Sequence, residues 1–230
     1  MKDKKNFYNN IANQFSDLKN EFDTIRRKKI LIDEFLFSLD YKNKKIIECG
    51  CADGYFIQQI LNFNKNYNID ICGCDISEKL LKIANDKNKD INFFLHDINN
   101  SKLQNKYDII ISSEVIEHCK NPKKALEHLC NSLNKEGYLI LSTPNKKWER
   151  LVKFASKIKI RPFQGYENFL TYNDIKEILI KNNFKILRFK GIHLYPFQFG
   201  FNKLHENLDN RTKFLNKFKI NFAFLAQKTK

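Results

Sequence analysis

The chain has 230 residues, with 41 Lys and Arg against 26 Asp and Glu and a formal net charge of +15; this length suits one sizeable α/β domain and excludes two of ordinary size plus a linker. No charged leader runs into an apolar stretch, and nowhere do about 18 apolar residues pass without a charge, so neither a signal peptide nor a membrane-spanning helix is predicted and a cytoplasmic location is expected. The charge draws such a chain towards nucleic acid or an anionic membrane surface, but lysine far outnumbers arginine and no arginine-rich stripe with interleaved aromatics marks a nucleic-acid face.

In chain order, Phe15, Leu18, Phe22, Ile25, Ile32, Phe35 and Leu39 recur at helical spacing, so a helical segment is predicted from Phe7 to Leu39. Residues 1–40 would then form a helical cap on a single domain. From Lys44 the pattern switches to a regular alternation. "KKIIECG" reads as a strand, "YFIQQILNFN" as a helix, "IDICGCD" as a strand and "SEKLLKIANDK" as a helix. "INFFLHD" and "YDIIISS" follow as strands, "PKKALEHLCNSL" as a helix with Asn121 and Pro122 at its start, and "GYLILSTP" as a strand. This alternation predicts a mostly parallel, doubly wound, Rossmann-like sheet over residues 44–145. Residues 146–217 contain two irregular stretches around the helix "TYNDIKEILIKNNF" and the strand "KILRFKGI", and residues 218–228 read as a final strand. The six cysteines, at 49, 51, 72, 74, 119 and 130, include no CxxC spacing. Free, buried thiols in a reducing compartment are expected.

The chemistry gathers at the strand ends. In "IIECGCADGYF" a strand ends at Glu48, Gly50 and Gly54 punctuate a tight turn, and a helix follows. Such a turn lets backbone amides approach a ligand, and the helix start favours negative charge. Asp75 closes the next strand, where a carboxylate can accept from both hydroxyls of a ribose; the alternative is a helix cap, a role for which Ser77 is better placed. Asp97 follows a third strand end. Together these predict a nucleoside-binding crevice.

"ECGCADG", "CGCDIS", "LHDIN", "YDIIISSEVIEH" and "GYLILSTPN" stand in an order and spacing that resemble class I S-adenosylmethionine-dependent methyltransferases, with the last two most similar to the ubiquinone-pathway O-methyltransferases. The resemblance implies that Glu48 and the loop from Gly50 through Cys51 to Gly54 hold the methionine portion of S-adenosylmethionine. It implies that Asp75, with Ile76, takes the ribose, that Asp97 and Ile98 take the adenine edge, that the backbone around Ser112 lines the sulfonium side, and that Tyr8 caps the cofactor. Ala52 stands where the family usually has its middle glycine; its methyl group is expected to narrow the turn without abolishing binding.

Glu114, Glu117 and His118 lie at i, i+3 and i+4, a spacing that would put all three on one helical face. Three readings stand open. They could hold Mg²⁺, as the resemblance implies for the ubiquinone-pathway enzymes; His118, with Glu114, could be a metal-free catalytic pair with the imidazole as general base; or the glutamates could complement a helix dipole. In the irregular stretches, Arg161, Tyr166, Phe169, His193, Tyr195, Phe197 and Phe199 are candidate acceptor contacts. The expected activity is methyl transfer to a hydroxyl of a small metabolite, sugar or lipid-like precursor. An RNA methyltransferase and a non-catalytic cofactor-binding protein are the alternatives.

Overall fold

A computed structural model describes residues 4–65, 67–157, 167–196 and 202–229. Among them the apolar runs become strands β1 (Ile46–Cys49), β2 (Ile71–Asp75), β3 (Asn92–Leu95), β4 (Tyr107–Ser113), β5 (Leu133–Pro144), β6 (Phe184–Ile192) and β7 (Asn221–Lys228). They form one sheet in the order β3-β2-β1-β4-β5-β7-β6. The pairs from β3 to β5 are parallel, and β7 runs antiparallel to both of its neighbours. The expected Rossmann-like, mostly parallel sheet with an antiparallel final strand is present. The sequence did not reveal that the last strand lies inside the sheet; its residues Phe222 to Ala226 are all buried, as a strand covered on both faces must be.

Helices α4 (Tyr55–Phe63), α5 (Glu78–Lys87), α6 (Pro122–Asn131) and α8 (Tyr172–Lys181) link successive strands. Alternate residues of each strand feed opposite faces. Ile47, Ile110 and Leu139 pack with Leu126 and Leu129 of α6 and Leu179 of α8. Ile46, Ile109 and Ile140 pack with Ile57 and Ile60 of α4 and with Ile30 to Leu36 of the N-terminal segment. The start of α6 is as predicted: Asn121 Oδ1 accepts from Lys124 N at 3.0 Å, with Pro122 in the first turn.

The helical pattern from Phe7 to Leu39 divides into α1 (Lys4–Ile11), α2 (Phe15–Leu18) and α3 (Glu21–Lys28), which continues into a π-helical stretch, Lys29–Phe35. The break between α2 and α3 falls at Lys19 and Asn20, where the backbone is extended. Asn20 uses its side chain to cap Asp23 N at 3.0 Å, satisfying a donor that a continuous helix would have bonded internally. Helices α7 (Glu149–Lys157) and α9 (Asn202–Arg211) lie in the two stretches read as irregular.

The N-terminal segment is tied to the core by a buried carboxylate. Asp53 accepts from Lys19 Nζ at 2.5 Å, Lys87 Nζ at 2.9 Å and Ser16 Oγ at 3.1 Å. Burial alone would raise its pKa, but the two ammonium groups outweigh burial and hold it below the usual carboxylate range. A carboxylate depressed on folding stabilises the fold above its unfolded pKa of about 3.9, and that contribution is lost as pH falls through the folded value. Urea titrations of Asp53→Asn are therefore expected to show a loss on the order of 1–3 kcal/mol at pH 7, shrinking towards zero as the pH is lowered below the unfolded value.

Candidate active site

The turn after β1 is built by backbone conformation. Gly50 and Gly54 have φ of 76° and 74°, and Ala52 between them has φ of 49°. The amides of Gly50 and Cys51 both donate to Cys74 O, at 2.7 and 3.0 Å, closing the turn onto the end of β2. A Cβ on Gly50 would fall 2.2 Å from Cγ2 of Val115, so this glycine is needed for close approach as well as for its dihedral. Ala52 departs from the expectation: its cost is a left-handed backbone rather than a narrower turn. Its amide donates to Asp75 Oδ2 at 2.9 Å, which holds the strained residue in place.

Asp75 also accepts from Ser77 N at 2.9 Å through Oδ1, and burial pushes its pKa up. Ser77 caps α5, accepting from Leu80 N at 3.2 Å, so the capping role belongs to Ser77. Glu48 is buried, and burial pushes its pKa well up, although Lys19 opposes this. Its Oε2 has no hydrogen-bond partner among the described residues. A desolvated carboxylate oxygen left without a donor is costly, and a cationic or hydroxyl-bearing ligand would remove that cost.

These residues open onto a cavity of about 800 Å³ over the carboxyl ends of β1, β2 and β4. Between β1 and β4 the strand order reverses, the place where such sheets bind ligands. Of the expected cofactor residues, Tyr8, Glu48, Gly50, Cys51, Asp75, Ile76, Asp97 and Ile98 line the cavity, as do Glu114, Glu117 and His118. Gly54 and Ser112 are not among the lining residues. Gly54 instead packs against α5, where a Cβ would sit 3.2 Å from that of Ala84. Ser112 is fully buried, and the strand alternation puts Ser113 on the wall in its place. Asp97 spends one oxygen on each of Asn99 N and Asn100 Nδ2, at 2.9 and 2.8 Å, which shapes the loop below Ile98.

Glu114, Glu117 and His118 do not share a helical face. Glu114 follows the end of β4 with φ of 56°, and the residues Ile116–His118 make a single tight 3-10 turn. Glu114 reaches over the sheet, accepting from Ser142 Oγ at 3.0 Å and Asn221 Nδ2 at 2.9 Å. Glu117 is buried and accepts from Thr143 Oγ1 at 3.2 Å, and burial, reinforced by Glu114, pushes its pKa well up. Among the described residues no three His, Cys, Asp or Glu side chains are grouped as a metal site. His118 stays on the cavity wall, with Nδ1 3.4 Å from Lys4 Nζ, Nε2 3.9 Å from Glu117 Oε1, and its ring edge-on to Tyr8 at 5.9 Å between centroids.

Sequence reasoning missed a guanidinium on the cavity wall. Arg27 lines the cavity, donating to Ser113 Oγ at 2.8 Å and to Asp23 Oδ2 at 2.9 Å. The Asp23 and Arg27 pair at i, i+4 was legible; the fact that it faces a ligand cavity was not. His193, expected near the acceptor, is buried and bonds Asp23 through Nε2 at 2.9 Å, so it holds α3. Phe169 is buried, and neither it nor Tyr195 lines the cavity. Arg161, Tyr166, Phe197 and Phe199 lie outside the described residues. All six cysteines are free, and burial pushes the thiols of Cys119 and Cys130 up to about 12.

Residues 21–188 match the methyltransferase domain family. The chain belongs to that family. This methyltransferase domain is 34% identical over 147 residues to malonyl-[acyl-carrier protein] O-methyltransferase 2 of Ilyobacter polytropus, covering 62% of this chain and 55% of that protein. It is 21% identical over 166 residues to the ubiquinone biosynthesis O-methyltransferase of Coxiella burnetii, covering 67% of this chain and 69% of the other. The chain thus spans about half the length of the malonyl relative. A structure of magnesium protoporphyrin IX methyltransferase from Synechocystis PCC 6803 with bound SAH superposes with a TM-score of 0.68 at 17% identity, covering 98% of each chain, a likeness of fold. The resemblance drawn from the motifs is borne out.

The strained turn of this methyltransferase domain generates a prediction. In Ala52→Gly the left-handed backbone is no longer penalised, and relief of strain of about 1–2 kcal/mol outweighs the added chain entropy of glycine. Urea denaturation is expected to show a variant at least as stable as the parent.

Proposed function

We propose that this domain transfers a methyl group from S-adenosylmethionine to an oxygen of a small acceptor. One observation carries the reading: the cavity that presents Glu48 and Asp75 also presents the His118 imidazole, on the turn after β4. In this reading Asp75 takes the ribose hydroxyls with the acceptor capacity that Ala52 and Ser77 leave unused, and Glu48 answers the positive methionine end. Asp97 and Ile98 bound the adenine side, and Tyr8 covers the site from α1. Bound there, S-adenosylmethionine supplies an electrophilic methyl group on a sulfonium.

The chain's own work is to orient the acceptor and handle a proton. A neutral imidazole takes the hydroxyl proton as the oxygen acquires its methyl group, an effect worth about 10²–10⁴-fold in rate. Glu114 and Glu117, committed to Ser142, Asn221 and Thr143, fix the turn that carries His118 and act as positioning residues. We read the site as working without Mg²⁺, because Glu114 and Glu117 each accept from side chains at the strand ends and no three potential ligands are grouped among the described residues.

The family relatives support an oxygen acceptor, since the two described above are named O-methyltransferases. A hydroxyl is the first reading. A carboxylate is the second, favoured by Arg27, a half-buried guanidinium on the same wall. The two differ in their need for a base, because a carboxylate is already ionised at neutral pH.

Labelled methyl transfer to panels of hydroxyl and carboxylate metabolites tests both. For a hydroxyl acceptor, His118→Ala is expected to lower kcat by about 10²–10⁴-fold with unchanged binding of S-adenosylhomocysteine, and a chelator is expected to leave the parent's turnover unchanged. For a carboxylate acceptor, Arg27→Lys is expected to raise KM while His118→Ala leaves kcat within a few-fold. Calorimetry on Asp75→Asn is expected to show cofactor binding weakened roughly 10–100-fold, the value of one or two charge-assisted hydrogen bonds. Cofactor binding with no transfer to either class would show a binding protein instead.

A further inference from the structure

Among the described residues, four exposed apolar side chains lie on two adjoining segments. Leu151 and Phe154 of α7 and Phe214 and Phe218 of the segment Lys213–Phe218 are between 46% and 80% exposed. The two segments are knit together. Trp148 Nε1 donates to Phe218 O at 2.8 Å, and Lys147 Nζ sits 3.8 Å from the centre of the Phe218 ring. Leu151 and Phe154 stand three residues apart on α7 and share one face, and the 3-10 turn Lys146–Trp148 that carries the Phe218 contact runs directly into that helix. Contiguous exposed apolar surface of this kind marks an interaction site.

The stripe is flanked by exposed Lys146, Lys147, Arg150, Lys153, Lys213 and Lys217. The one acid in these two segments, Glu149, is already paired with Lys153 at 2.6 Å. The patch lies at the carboxyl edge of the parallel strands, the edge that carries the cavity: α7 follows the end of β5, and Lys213–Phe218 precedes the start of β7, where Asn145 N donates to Ile220 O at 2.8 Å.

We propose that this patch docks the protein on an anionic lipid surface. An amphipathic helix with Leu and Phe on one face and Lys or Arg beside them lies in the plane of a membrane interface, with its apolar face among the acyl chains. Five of the six cations are lysines, which protein interfaces disfavour and which anionic headgroups attract individually. A single-stranded nucleic acid would need open ring faces for base stacking. Here Lys147 sits over Phe218 and Leu151 offers no ring, which leaves only Phe154 and Phe214 as open rings in the patch. The docking reading is independent of which acceptor the cavity takes.

Sedimentation of the full chain with vesicles tests this, using phosphatidylcholine alone and phosphatidylcholine mixed with phosphatidylglycerol. The chain is expected to sediment with the mixed vesicles, to bind phosphatidylcholine weakly, and to lose binding in high salt. The pairs Leu151→Ser with Phe154→Ser, and Lys147→Glu with Lys217→Glu, are each expected to weaken partition roughly tenfold or more, with unchanged melting temperature and cofactor binding. A parent that ignores the mixed vesicles, or variants that bind as the parent does, would overturn the proposal. So would finding that the same substitutions abolish self-association, or binding of a single-stranded oligonucleotide, in a chain that does not bind vesicles.

Discussion

The site depends on a single close approach. At Gly50 the turn after β1 passes against Val115 with no room for a Cβ, and Val115 belongs to the turn that ends β4. A branched valine side chain has little freedom to move aside. The contact therefore locks two loops from adjacent strands, the one that carries Glu48 to Gly54 and the one that carries Glu114 to His118. Asp75 completes the arrangement by holding the amide of Ala52, so that three strand ends share one rigid rim around the cavity.

Around that rim the charges are organised by burial. Carboxylates facing the cavity from the sheet, Glu48, Asp75 and Glu117, are all pushed upward by loss of water. Carboxylates that attach the N-terminal segment are held down by cations: Asp53 by Lys19 and Lys87, and Asp23 by Arg27 and His193. Ion pairs thus hold Asp53 and Asp23, and the acids raised by burial share the cavity wall with them. In the reading proposed above, a ligand with a positive centre and paired hydroxyls answers the acids raised by burial.

From β4 a hydrogen-bonded chain runs through Arg27, Ser113, Ser142 and Glu114 to Asn221 at the start of β7. It links α3 to strands far apart in sequence. Its energetic role is to satisfy polar groups at the edge of a sheet whose interior is apolar. The same chain sets the orientation of Glu114, which braces the sheet through Ser142 and Asn221.

Local pattern was enough for the strands, the connecting helices, the cap at Asn121, the turn glycines and the acids at three strand ends. Each of these is a property of neighbouring residues: period, turn chemistry and capping act within a few positions. Even the family could be read from them, because its motifs are strand ends and turns. The position of β7 within the sheet, the transfer of the lining role from Ser112 to Ser113, the place of Arg27 on the cavity wall and the loss of a common helical face for Glu114, Glu117 and His118 could not be read this way. Each depends on partners brought together by folding, such as Val115 against Gly50 or Asn221 beside Glu114. An i, i+3, i+4 spacing implies a common face only in an α-helix; the close packing at Val115 and the left-handed backbone at Glu114 replaced that helix with one 3-10 turn.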